Sequence, residues 1–171
     1  MRMLIYIALA LVGFLMLVFG LLGIAGSLVP ATHTASVSVE VGMPREQVWA
    51  LIDDPAGFPA WLPGLDKVEM LPDRGGHRVF RQTQGRNTFV LEETEKRPPE
   101  LVTRTIADDH KMFTGSWEHR LEAAGPGRTK ITVTETGTVP SPIPRAIMRF
   151  AVGYDHYLNK FAQALKAKCG A

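Results

Sequence analysis

The sequence is poor in the residues that make most enzymes recognisable. Cys169 is the single cysteine among 171 residues, so no internal disulfide can form, and cysteine usage leaves the compartment open. No Cys/His cluster has zinc-ligand spacing. Serines are few, and neither a Gly-x-Ser-x-Gly elbow nor a phosphate-cradling glycine loop occurs. Lys and Arg form no run, and a formal net charge of +2 is too small to argue for nucleic acid. No metal and no cofactor are expected, and nucleic acid is not an expected partner. Internal repeats and low-complexity segments are also absent. Over one long stretch, Leu4 to Val29, charge itself is missing.

That stretch is long enough to cross a bilayer core, which needs roughly 20 apolar residues. A secretory signal has an apolar run of only about 7–15 residues, and Ala25-Gly26-Ser27 is a poor Ala-x-Ala cleavage site. The expectation is an uncleaved single-pass anchor in residues 1–30 and a separate domain in 31–171, with residues 4–29 in the membrane. Arg2 and the amino terminus precede the span, and the first basic residue after it is Arg45. The positive-inside rule then leaves the N-terminus in the cytoplasm and the domain outside it. Gly23 and Ser27 make a small-xxx-small pair, read as a smooth helix face. Pro30 to Thr34 reads as a short tether.

The domain opens with a strand, His33 to Val41, in which Ala35, Val37, Val39 and Val41 alternate with polar residues at the period of two. Pro44 starts a helix with Val48, Trp49, Leu51 and Ile52 on its apolar side, and Pro55 to Leu62 is a short helical or turn segment carrying Phe58 and Trp61. Strands are predicted at 65–71, 77–83, 88–96 and 101–107, separated by Gly- and Pro-rich turns. The last two are clearest. Phe113, Gly115, Trp117, His119 and Leu121 share a face, and Ile131, Val133, Glu135, Gly137 and Val139 face the same way, with a threonine row on the other side. Glu92, Glu93 and Glu95 read as a solvent face, and Asp108-Asp109-His110 as a solvated hairpin end.

At the C-terminus Ile147, Phe150, Ala151, Tyr154, Leu158, Phe161 and Leu165 recur at steps of three and four. The spacing predicts one helix over 141–168 with a single buried stripe. Ser141 suits its cap, Pro142 and Pro144 its first turn, and Lys166 and Lys168 its end. The fold class is therefore α+β: a curved antiparallel sheet, solvated on its threonine face, wrapped on a long C-terminal helix.

The run His33-Thr-Ala-Ser-Val-Ser-Val-Glu-Val41, the segment Pro44-Arg-Glu-Gln-Val-Trp-Ala-Leu-Ile-Asp-Asp-Pro55 and Phe58-Pro-Ala-Trp61 resemble the opening of START-like (SRPBCC) proteins. Gly115-Ser-Trp-Glu-His-Arg-Leu121, the 127–137 strand and the last helix fit the same pattern, so the resemblance spans roughly residues 33 to 168. It implies a helix-grip fold with a cavity between sheet and helix, nearest to the polyketide cyclase/dehydrase and lipid-transport branch. That superfamily shares a cavity rather than a catalytic motif, so no active-site residue carries over to a numbered position. The N-terminal span departs from the usual soluble members.

Two polar residues stand on faces that alternation makes apolar, His119 and Glu135. A buried carboxylate costs several kcal/mol unless paired or protonated. The two are candidates for an acid/base pair or for holding a ligand's polar head; as a plain alternative, they are a satisfied polar spot in a wet cavity. Phe58, Trp61, Trp117, Tyr154 and Tyr157 are candidate pocket-lining residues, with core packing as the alternative for each. The expected function is binding of a hydrophobic small molecule or lipid. A cyclase/dehydrase-like enzyme using His119, Glu135 or a tyrosine, and an interaction module with a filled cavity, are the two alternatives.

Overall fold

The computed structural model describes residues 2–108 and 113–170. Of the loop Asp108-Asp109-His110, all after Asp108 lies outside the described residues. The elements in order are α1 (Arg2–Ser27), β1 (Thr32–Val41), α2 (Arg45–Ile52), a 3₁₀ turn (Pro55–Ala60), β2 (Lys67–Arg74), β3 (His77–Gln84), β4 (Asn87–Arg97), β5 (Leu101–Ile106), β6 (Thr114–Ala123), β7 (Thr129–Thr138), α3 (Pro142–Ile147), a π-helical turn (Met148–Val152) and α4 (His156–Cys169). The strands form one antiparallel sheet in the order β1-β7-β6-β5-β4-β3-β2. It curves around α4 in a helix-grip arrangement, with one apolar helix at the N-terminus.

Why these residues pair in this register follows from their alternation. Val37 lies opposite Val133, Val39 opposite Ile131, and Leu121 opposite Ile131 from the other side. A shift by one residue would turn this row to water, so burial of one face pins the register. On the other face Ser36 meets Thr134 and Ser38 meets Thr132 through hydroxyl pairs at 2.9 and 2.8 Å.

The C-terminal segment differs from the single helix expected over 141–168. A π-turn, closed by Gly153 N–H donating to Met148 O at 2.9 Å, ends at Gly153 with φ of 84°. A left-handed φ is cheap only for glycine, and α4 restarts after it in a new direction. The predicted buried stripe therefore divides. Leu158 and Leu165 are buried in the grip, together with Ala162, Ala164 and Cys169, while Ile147, Phe150 and Ala151 are exposed.

The principal core joins Val41, Val48, Ile52, Val102, Leu121, Ile131, Val133, Leu158, Leu165 and Cys169. A smaller cluster, Phe80, Leu91 and Ile106, lies toward β2–β4, and Trp117 packs against both. Leu158, Leu165 and Cys169 of α4 thus pack into this core. The residues read as a tether are also tied down. Val139 N–H donates to Ala31 O at 2.9 Å, and the Arg145 guanidinium donates to the carbonyls of Gly26, Val29, Val139 and Pro140 at 2.7–3.2 Å.

Candidate functional site

Residues facing one another across the strands share a face, and one such row is polar where its neighbours are apolar. Glu93 of β4 opposes Arg104 of β5, which opposes Trp117 of β6, which opposes Glu135 of β7, which opposes Ala35 of β1. The next row along is Val102, His119, Val133 and Val37. A band of buried charge thus crosses the inner face between the two apolar clusters.

Its first half is an ion pair. Arg104 Nη2 and Nε donate to Glu93 Oε1 at 2.9 and 3.2 Å, and Nη2 also donates to Ile52 O at 2.6 Å. The guanidinium lies 5.3 Å from the Phe58 ring centroid and 5.8 Å from that of Phe80. Burial lowers the Arg104 pKa from its ordinary value, and the Glu93 carboxylate opposes that shift. The other Glu93 oxygen lies 3.6 Å from Arg78 and 3.7 Å from Lys96, both of which also reach Asp53. Beside this group, between the β2–β3 turn and β4, is an open polar depression of ≈ 320 Å³ lined by His77, Arg78, Glu93 and Lys96 among others. Glu93 is therefore not on a solvent face. It stands two residues after the buried Leu91 and in unbroken register with β5, so plain alternation turns it inward; the register shifts only between Glu93 and Glu95, which puts Glu95 out of phase with Glu93.

The second half surrounds Glu135. Its Oε2 accepts from Trp117 Nε1 at 2.9 Å, and its Oε1 from His33 Nε2 at 3.3 Å. The His33 ring stacks on Tyr154, centroids 3.8 Å apart and planes 10° from parallel. Gly137, opposite both His33 and Gly115, makes room for this arrangement. A Cβ there would stand 2.7 Å from the Phe113 ring and 2.8 Å from His33 Cε1. Tyr154 reaches the group because it follows the break at Gly153.

His119 and Glu135 share the inner face, yet His119 bonds elsewhere in character. Its ring meets Phe161 edge-on at 5.2 Å, and an aromatic chain continues through Trp61 to Phe58 at 5.7 and 5.6 Å. Nδ1 is buried without a hydrogen-bond partner. Burial, with the nearby Arg104 charge second, pushes the His119 pKa down to about 3. The ring is neutral at physiological pH, holds no proton to give, and is a weak base; a general acid or base works best with a pKa near the working pH.

Of the seven residues singled out in the sequence, the structure brings Trp117, Glu135 and Tyr154 into one group and Phe58, Trp61 and His119 into another. Tyr157 joins neither: it is 50% exposed, with its ring against His156 and Lys160. His33, Glu93 and Arg104 were missed. His33 stands two residues before Ala35, and Arg104 stands between Val102 and Ile106, so the same alternation that marked His119 marks them too. Among the described residues no three His, Cys, Asp or Glu side chains converge as a metal site requires.

The family described as Polyketide cyclase / dehydrase and lipid transport matches residues 32–170. No curated protein sequence matches the chain. Among solved structures the chain is similar to the Zhui aromatase/cyclase from Streptomyces sp. R1128, with a TM-score of 0.71, 19% identity, and 81% of this chain and 93% of that one covered. It is similar to a START superfamily protein from Mycobacterium smegmatis, with a TM-score of 0.66, 19% identity, and 80% and 97% covered. It is also similar to norcoclaurine synthase from Thalictrum flavum, with a TM-score of 0.63, 14% identity, and 81% and 94% covered. At these identities the likeness is one of fold.

Proposed function

Since the chain belongs to the polyketide cyclase/dehydrase and lipid transport family, we propose that it is a membrane-anchored domain that binds a hydrophobic small molecule or lipid between sheet and C-terminal helix. Residues 1–30 are the anchor and 31–171 the binding domain. The N-terminus lies in the cytoplasm and the domain beyond the membrane. α1 is the helix of sufficient length and apolarity to span, and none of its spanning window is buried by the rest of the chain.

The observation that carries the binding reading is the Glu135 centre. An apolar ligand with one polar end needs a wall of hydrocarbon and a few fixed polar groups. Glu135 is held by Trp117 and His33, each carboxylate oxygen can accept a further bond, and Tyr154 closes the group beside a break in the helix. A ligand hydroxyl or amide would bond to Glu135, and its apolar body would lie along Phe113, Phe89 and Val68, which pack against the smaller cluster.

The packing of Leu158, Phe161 and Leu165 against the principal core beneath α4 favours a second reading, a module that binds a partner on its surface and holds no ligand. One experiment separates the readings. The detergent-purified chain is extracted and any retained lipid identified by mass spectrometry, then titrated with a panel of lipids and polyketide-like compounds. Retention that weakens in Glu135→Gln supports the binding domain. Conversion of a retained compound that is lost in Glu135→Gln would make it an enzyme, and a chain that retains nothing leaves the surface module.

A further inference from the structure

The contact between α1 and α3 says how the domain sits. α3 packs along α1, and the α1 residues shielded from solvent, Val18, Leu22, Gly23, Ala25 and Gly26, lie on one side of an otherwise exposed helix. The approach is tight at Gly26, where any side chain would overlap the carbonyl of Pro142. Gly26 is thus covered by α3, whereas a Cβ at Gly23 would meet nothing within 4 Å and Ser27 is exposed. Ser27 is used within its own helix, its hydroxyl donating to Gly23 O at 2.8 Å. From Gly26 back to Val18 is about 12 Å at 1.5 Å per residue. If α1 spans the membrane, a segment covering this side sits at the depth of the lipid headgroups or below.

The rest of the segment suits that depth. Phe150 is 67% exposed, Ile147 43% and Val152 36%, three large apolar side chains within six residues held out where water would disfavour them. Pro142 and Pro144 bring no backbone N–H that would need a partner in lipid. Arg145, a charge otherwise costly there, spends its donors on four carbonyls. Arg149 lies over the Phe150 ring at 5.8 Å, with a stem long enough to carry its charge back to the headgroups.

Resting on the anchor reading above, we propose that Pro142–Val152 is a lipid-contacting surface that seats the domain directly on the bilayer beside α1. The occupant is the boundary between headgroups and hydrocarbon. The sheet register adds a consequence: His33 and Gly137 pair at the end of the sheet nearest α1, so the Glu135 centre and the Gly153 break face the membrane. A ligand drawn from the bilayer would meet them without crossing water.

The test uses the full chain in vesicles of phosphatidylcholine and phosphatidylglycerol. An environment-sensitive fluorophore is placed at Phe150→Cys, Leu11→Cys or Pro126→Cys. Pro126 lies in the β6–β7 turn, at the far end of the sheet, and unsubstituted chain with its buried Cys169 gives the labelling background. Nitroxide-bearing lipids should quench the probe at 150 several-fold more than the probe at 126, and aqueous iodide should do the reverse. If iodide reaches 150 as readily as 126 while lipid nitroxide quenches the probe at 11, the seat is wrong and the anchor stands. If lipid nitroxide fails at 11 as well, the anchor reading has failed and the proposal with it.

Discussion

Trp117 and Glu135 occupy directly opposed positions on β6 and β7, and the indole N–H donates to the carboxylate at 2.9 Å. The pair ties a large apolar ring to a buried charge, so the polar centre and the two apolar clusters meet at one side chain. Its loss would be felt on both sides.

Trp117→Phe keeps the ring and removes the donor, leaving Glu135 Oε2 without its partner. The expected cost is about 1–3 kcal/mol, the usual scale for an orphaned buried acceptor. Urea unfolding of the detergent-solubilised chain measures it. In Glu135→Gln the same tryptophan substitution should cost measurably less, because the charge is gone; equal costs in both backgrounds would mean that the bond contributes nothing.

His119 gives the domain a pH dependence of known sign. Its folded-state pKa of about 3 lies below the ordinary 6.5, so the unfolded chain binds a proton that the folded chain refuses. Stability from the neutral ring is complete above about pH 6.5 and drains away as the pH falls toward 3. Denaturation midpoints measured from pH 7 to pH 4 should fall, and the fall should be shallower in His119→Phe, which keeps an aromatic ring against Phe161. An identical pH profile in the variant would place the proton uptake elsewhere.

Breaking the Glu93–Arg104 pair should be severe. Glu93→Gln leaves a guanidinium buried beneath Phe58 and Phe80, and such one-sided losses typically cost about 3–5 kcal/mol. Replacing both, as Glu93→Gln with Arg104→Met, should recover much of that cost because no charge is then stranded. Thermal unfolding of the single and double variants decides it.

The divided C-terminal segment sets up a contrast on neighbouring positions. Leu158 is 2% exposed in the grip, and Leu158→Ala should cost about 2–5 kcal/mol. Tyr157→Ala, next to it on the outer side, should stay within about 0.5 kcal/mol. Similar losses at both sites would mean that α4 is rotated from the orientation described.

How much of this was legible in the sequence depends on the residue. Alternation exposed Trp117, His119 and Glu135 because their neighbours two places away are apolar or small. The same rule would have reached His33 and Arg104. It would have reached Glu93 as well, two residues after Leu91; reading the glutamates as one outward face overlooked that Glu92 and Glu93 are adjacent, and the phase is lost only at Glu95, past the bulge. Helical spacing over 147–165 reported truly that one side is apolar, but periodicity does not say what covers it. For Leu158 and Leu165 the cover is the sheet. Ile147 and Phe150, across the π-turn and Gly153, point away from it. The pairing of Arg145 with Gly26 joins residues 119 apart and carries no local signal at all.

The Arg145 clamp also bears on when the chain could be shortened. Proteases bind their substrates as extended backbone, and the peptide bonds around Gly26 are either helical or have their carbonyls occupied by a guanidinium. Residue 145 is made long after residue 26, so this clamp cannot exist until most of the chain has been synthesised. Once the domain closes, the carbonyls of Gly26 and Val29 are engaged by Arg145. If that engagement shields the stretch, pulse labelling should show any trimmed product among the newest chains alone, and Arg145→Ala should extend trimming to older ones.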